Sequence, residues 1–327
     1  MGRAPVADAG AGACSGPPRP PVWDPAAGIL TMAILLAVAL ICLAACRVAA
    51  PWLIRRAFRA PRQAETETPE AHGLPYRPVS IATANGRRLF AWYVPASTAE
   101  PLPCVVLLHG WGGNAQAMLP FAPHLVDQGY SVLLMDARNH GRSDEDDFSS
   151  MVKFAEDLAH ALEWLRRQPS VDPDRLSVLG HSVGAAAALL VASTDPRLCA
   201  VVSIATFAHP ARLMRRIMKT HHVPYLPVGW WVLRYIERQI GARFDDIAPV
   251  RTIRHVSCPV LLVHGAMDDQ VPVSDAQAVY AQRASDAVQL RVLSDATHSS
   301  VEKIQQYAPE LMSFLNAAQQ SGRRPPA

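Results

Sequence analysis

Short, unbroken apolar runs recur along this chain at residues 105–108, 132–135, 176–179, 200–204 and 260–263, each too brief to be read as a helix. None shows the apolar–polar alternation of a strand with one wet face, so each is expected to be a strand covered on both sides, as in a parallel sheet. Helical patterns separate the runs. Val152, Ala155, Leu158, Ala159, Leu162 and Leu165 repeat at helix spacing, and residues 183–192 are dense in alanine and leucine. Alternation of strand and helix predicts an α/β fold with a doubly wound, mostly parallel sheet. Ahead of it, residues 79–84 and 87–94 flank Asn85-Gly86, the dipeptide best suited to a type I′ turn, which predicts an opening hairpin.

Residues 207–250 break the alternation. Met214, Met218, Trp230, Trp231 and Tyr235 stand there among arginines, with prolines at 210, 224 and 227, and the segment reads as an inserted helical cap. Two roles stay open for its apolar residues: packing on the domain, or lining a ligand pocket. Its cationic faces would also suit an anionic lipid surface.

No residue from Ala26 to Ala45 is charged, and a helix of about 20 residues covers the roughly 30 Å hydrocarbon core of a bilayer. A transmembrane helix is therefore expected over 26–54, bracketed by Trp23 and Trp52. Residues 1–25, rich in Gly, Ala and Pro, read as a disordered tail, and polar, proline-bearing 55–75 as a juxtamembrane linker. One globular domain is expected over 76–318, with a flexible tail at 319–327. Arg47, Arg55, Arg56, Arg59 and Arg62 follow the span, which by the positive-inside tendency puts a single-pass protein's domain in the cytoplasm. Leu43-Ala44-Ala45-Cys46 also has the form of a bacterial lipobox; lipidation of Cys46 would put the domain outside the cytoplasm instead.

A length of 327 residues with 50% hydrophobic content suffices for one large domain besides the anchor. Net charge is only +3 and no basic stripe is interleaved with aromatics, so nucleic acid is not an expected partner. None of the six cysteines forms a CxxC pair or a metal-ligand spacing with histidine, so no metal site is expected. Cys104, Cys199 and Cys258, in or beside apolar runs, read as reduced core thiols.

The chemistry is carried by four motifs. Gly180-His181-Ser182-Val183-Gly184 follows the run at 176–179 and precedes the helix pattern at 183, the strand–turn–helix context a GxSxG nucleophile requires. His109-Gly110-Trp111-Gly112-Gly113 follows the run at 105–108 as a glycine turn. Asp136-Ala137-Arg138-Asn139-His140-Gly141-Arg142-Ser143 follows the next run, and His264-Gly265-Ala266-Met267-Asp268-Asp269-Gln270-Val271-Pro272 follows the last. His298 lies in a late loop after a strand pattern at 289–293. Among twelve histidines it alone completes the order Ser, Asp, His.

Together these motifs resemble the α/β-hydrolase superfamily over roughly residues 76–315, and within it the serine aminopeptidase-like, acylglycerol-lipase-like branch. Ala185 departs from the resemblance, since many relatives have a second glycine there. The resemblance implies Ser182 as nucleophile, His298 as base, Asp268 as the acid that orients it, and the backbone N–H groups of Trp111 and Val183 as the oxyanion hole. Asp269 takes the acid's place if the loop register differs by one, and the Asp136 turn is expected to be architectural. No cofactor is implied. The expected function is a serine hydrolase acting on a small-molecule acyl ester, thioester or amide. A peptidase acting on short peptides and a non-catalytic, membrane-tethered binding module are the alternatives, and oligomeric state is left open.

Overall fold

A computed structural model describes residues 25–57, 59–96, 100–300, 303 and 305–321. All but the last residue of the tail expected at 1–25 lies outside these residues, as do residues 322–327 of the tail expected at 319–327, whose first three residues are helical. The chain divides into two compact units, Met1–Ile54 and Arg55–Ala327. Helix α1 spans Pro25–Ala57, with Ile29, Leu30, Ile34, Leu36 and Ile41 exposed along it. Yet among the described residues no helix is long and apolar enough to cross a membrane. The expectation of a transmembrane helix over 26–54 is thus met as a helix and not as a membrane span. Cys46, the candidate lipidation site, lies outside the residues whose side chains are described.

The second unit is built on one eight-stranded sheet of order β1-β2-β4-β3-β5-β6-β7-β8. Strands β1 (Arg77–Ala82) and β2 (Arg88–Val94) form the opening antiparallel hairpin. Asn85 at φ 58° and Gly86 at φ 65° supply the two positive φ values of a type I′ turn, closed by the Arg87 N–H donating to the Ala84 carbonyl at 3.2 Å. Six strands then run parallel: β3 (Leu102–Leu108), β4 (Ser131–Met135), β5 (Val171–His181), β6 (Ala200–Ile204), β7 (Val260–Gly265) and β8 (Val288–Leu293).

Alternate residues of each central strand serve opposite layers, which is why those segments are apolar throughout. Val106, Leu108, Leu133 and Met135 pack on one side with Phe154, Leu158, Leu162 and Leu165 of α3 (Met151–Leu165) and with Ala186–Leu189 of α4 (Val183–Ala192). On the other side, Val105, Leu107, Val132 and Leu134 meet Leu125 of α2 (Ala122–Asp127) and Leu311, Phe314 and Leu315 near the C-terminus. Each such fully buried side chain contributes about 1.5–3 kcal/mol. Cys104, Cys199 and Cys258 are free and buried, as read from sequence.

The inserted segment forms α5 (Pro210–Thr220), a turn at Tyr225–Gly229, α6 (Trp230–Ile240), α7 (Phe244–Ile247) and α8 (Pro249–Thr252). Met218, Leu233 and Phe244 sink into the core, whereas Trp230 and Trp231 stay about half exposed. Asp275, on α9 (Val273–Ala281), ties the segment down by accepting from Arg216 Nη1 at 2.9 Å and from the Ala208 amide at 3.0 Å. A last helix, α10, spans Ala308–Ser321.

Residues 55–75 are no free linker. Gln63 accepts from Asn114 Nδ2 at 3.2 Å through its carbonyl, Gln116 accepts from the Thr66 amide at 2.7 Å, and Arg62 donates to the Ser143 carbonyl at 2.8 Å. The segment is strapped over the loop that follows β3.

Candidate active site

Strand β5 ends at His181 and helix α4 starts at Val183, so Ser182 alone must reverse the chain. It does so at φ 52° and ψ −112°, a region that costs a non-glycine residue about 1–3 kcal/mol and persists only where its surroundings enforce it. Here they do. The Ser182 amide donates to the Ile204 carbonyl at 2.8 Å, and a Cβ on Gly180 would stand 2.5 Å from the Gly184 carbonyl oxygen. The flanking glycines of the motif are thus a steric requirement, and Ala185, the departure noted above, is fully buried without conflict.

Residues from three strand ends meet at this turn. His298, beyond β8, brings Nε2 to 3.1 Å from Ser182 Oγ, and its Nδ1 lies 2.7 Å from Asp268 Oδ2, beyond β7. All three side chains are buried. A carboxylate only accepts, so Nδ1 carries the proton and Nε2 is left to accept from the serine hydroxyl. Asp268 Oδ1 accepts from the amides of Gln270 and Val271 at 3.0 and 2.8 Å. Burial pushes the Asp268 carboxyl upward, but hydrogen bonds from His264, His298 and the Val271 amide outweigh it and hold the acid below the usual carboxylate range. Asp269, the register alternative, is exposed.

The loop after β3 lies against Ser182: a Cβ on Gly110 would stand 3.1 Å from Ser182 Cβ. Gly113 N–H donates to the Gly110 carbonyl at 3.2 Å and closes the turn that contains Trp111, whose indole is partly exposed. Val183 opens α4, where the first amides have no acceptor within the helix. Below them, His109 is fully buried. Its Nε2 accepts from the Ala137 amide at 3.1 Å while Nδ1–H donates to the Gly110 carbonyl at 2.7 Å, and burial lowers the imidazole to about 3. It braces the turn as a neutral ring.

The Asp136 turn is architectural, as expected. Asp136 accepts from the Ala115 and Arg142 amides at 2.7 and 2.8 Å, and Ser143 Oγ donates to its carbonyl. Arg138, almost fully buried, donates through Nε to Asp157 of α3 at 2.6 Å and pairs with Asp146 and Glu156.

Two residues of the site have no role that their sequence context assigns. His264 Nε2 lies 2.7 Å from the Val271 carbonyl and 3.4 Å from Asp268 Oδ2, bracing the acid's loop. His181 Nε2 lies 2.9 Å from the His298 carbonyl. Their placement inside motifs is the signal the sequence offers; their partners are not. Among the described residues no group of His, Cys, Asp and Glu is arranged to hold a metal ion.

The chain is also similar to known proteins. The family model for serine aminopeptidase, S33, matches residues 99–243, which include Ser182 and the loop after β3 but end before Asp268 and His298. An uncharacterized protein of Mycobacterium tuberculosis is 31% identical over 208 residues, 64% of this chain and 67% of that protein. The uncharacterized protein YfhR of Escherichia coli O157:H7 is 27% identical over 225 residues, 67% of this chain and 72% of its own length. Among solved structures, the Pyrococcus furiosus esterase Pf2001 superposes with a TM-score of 0.66 at 25% identity, over 80% of this chain and 97% of that one. With this sheet order, this turn at Ser182 and these likenesses, the chain belongs to the α/β-hydrolase superfamily.

Proposed function

We propose that the protein is a serine hydrolase that cleaves a carboxylic ester or thioester through an acyl-enzyme intermediate. The hydrogen bond between His298 Nε2 and Ser182 Oγ, at 3.1 Å, carries this reading. His298 takes the hydroxyl proton as Ser182 Oγ attacks the substrate carbonyl carbon, then returns it to the leaving alcohol or thiol. Asp268 stays ionised and keeps Nδ1 protonated. The amides of Trp111 and Val183 receive the oxyanion, at about 3–4 kcal/mol per donor. Water, activated by the same imidazole, then releases the acid and restores the serine. Labelling of the purified protein by a fluorophosphonate probe, lost in Ser182→Ala together with ester hydrolysis, is the expected result. Hydrolysis that survives Ser182→Ala would sink the mechanism.

The match to the serine aminopeptidase model favours a second reading, in which the leaving group is an amine of a short peptide. A panel of acyl esters against aminoacyl amides separates the two by relative kcat/KM. In the same proposal the domain that follows Arg47, Arg55, Arg56, Arg59 and Arg62 lies in the cytoplasm. Fluorescence of a cytoplasm-restricted reporter fused after Ala327 tests the orientation, and lipidation of Cys46 would reverse it.

A further inference from the structure

Two adjacent residues grip the same histidine at different points. Ser182 Oγ meets the His298 ring at 3.1 Å, while His181 Nε2 meets the His298 backbone carbonyl at 2.9 Å. A carbonyl only accepts, so His181 carries its proton on Nε2 and is the donor. Its other nitrogen faces the loop after β3, where a Cβ on Gly110 would stand 3.0 Å from His181 Nδ1. The ring thus lies where the nucleophile turn, the loop of Gly110 and the loop of His298 come together. Its centroid is 5.1 Å from that of the His298 ring. Burial, and then the neighbouring His298, lower its imidazole to about 4, so it sets no second positive charge beside the base at neutral pH.

The His298 loop needs such a tie. On its far side the Met267 amide donates to the Ala296 carbonyl at 3.1 Å, which registers the base with the acid's loop. That bond leaves the distance from base to nucleophile unset. The bond from His181 spans 117 positions and registers the base with the serine's own chain neighbour. Resting on the hydrolase reading above, we propose that His181 is a positioning residue that keeps the His298 imidazole in reach of Ser182 Oγ through its Nε2–H···O=C bond.

Three substitutions in the full-length protein test this. Phe keeps a ring but donates nothing, Gln places an N–H near the reach of Nε2, and Asn stops short of it. His181→Phe and His181→Asn are expected to lower kcat for an ester, and the rate of fluorophosphonate labelling, about tenfold to a hundredfold with KM within about twofold, because a misplacement of about 1 Å can cost that much. His181→Gln is expected to stay within a few-fold of the parent. Should His181→Phe fail to fold, the Asn and Gln pair decides alone. A folded Phe or Asn variant at full rate, or a Gln variant as impaired as Asn, overturns the proposal.

A readout independent of turnover accompanies the kinetics. The proton shared by His298 Nδ1 and Asp268, followed by NMR of histidine-labelled protein, is expected to exchange faster with solvent in the Phe and Asn variants and to be retained in the Gln variant. Identical exchange in all three overturns the proposal even if no substrate is ever turned over. Absence of probe labelling in the parent protein itself would instead fault the hydrolase reading.

Discussion

A side-chain carbon on Gly184 would stand 2.4 Å from the carbonyl oxygen of His109. The helix behind Ser182 and the loop behind β3 therefore meet at a separation that only a hydrogen atom permits, and both partners are backbone, unable to swing aside. Gly184→Ala is expected to destabilise the fold by roughly 1–3 kcal/mol or more, as overpacking of a closed core does. Thermal melting should fall by about 2–12 °C, given about 2–4 °C per kcal/mol for a domain of this size. An unchanged melting temperature would mean that the loop yields freely.

The acid of the site should be assignable by paired substitution. Asp268 is buried and accepts from His298 Nδ1 at 2.7 Å, whereas Asp269 is exposed. Asp268→Asn reverses the preferred tautomer of the imidazole and is expected to lower kcat about 10⁴-fold. Asp269→Asn should stay near the parent value. Steady-state kinetics on one ester decides it, and equal losses would reopen the register of the loop.

Asp136 offers a test in stability. Burial raises its carboxyl to about 7 from an ordinary 3.8, against the pull of the Arg142 and Ala115 amides. A folded state that holds the proton more tightly than the unfolded chain gains stability that is complete below the unfolded value and fades as pH climbs to the folded one. Relative to Asp136→Asn, which cannot ionise, the parent should therefore be more stable at about pH 5 than at about pH 8. Each tenfold gain in proton affinity on folding corresponds to at most about 1.4 kcal/mol. Urea unfolding of both proteins at the two pH values measures it; a gap that does not change with pH would contradict it.

Removal of Arg138 should be severe and its cost should be recoverable. The guanidinium is nearly inaccessible and faces the equally buried Asp157 at 2.6 Å, with Thr83 Oγ1 donating to the same carboxylate at 2.8 Å. Arg138→Met strands that carboxylate and is expected to cost about 3–5 kcal/mol in denaturant unfolding. The double variant Arg138→Met/Asp157→Leu should regain a large part. If it regains none, the loss comes from shape and not from charge.

Much of this architecture is legible in the amino-acid sequence alone. Unbroken runs such as 105–108 became strands because both of their faces are covered, and Ser182, Asp268 and His298 were legible because each sits at a strand end within a motif of glycines or fixed order. Asp157 was not legible. It occupies a helical position between the apolar Ala155 and Leu158, where periodicity marks a buried face but cannot disclose a charged partner nineteen positions earlier. The same limit hid the role of His181, whose partner is 117 positions away. Composition also misread 55–75: polarity and proline describe an open linker and a pinned strap equally well.

That strap sets a boundary on dissection. Pro61 occupies the space beside Gly112, where a Cβ would stand 2.8 Å from Pro61 Cγ, and φ there is +73°. A chain trimmed at Tyr76 to free the enzyme from its apolar helix would uncover the very loop that holds Trp111. Shortened versions should therefore be cut upstream of Arg59, because what lies between helix and sheet is part of the enzyme's wall.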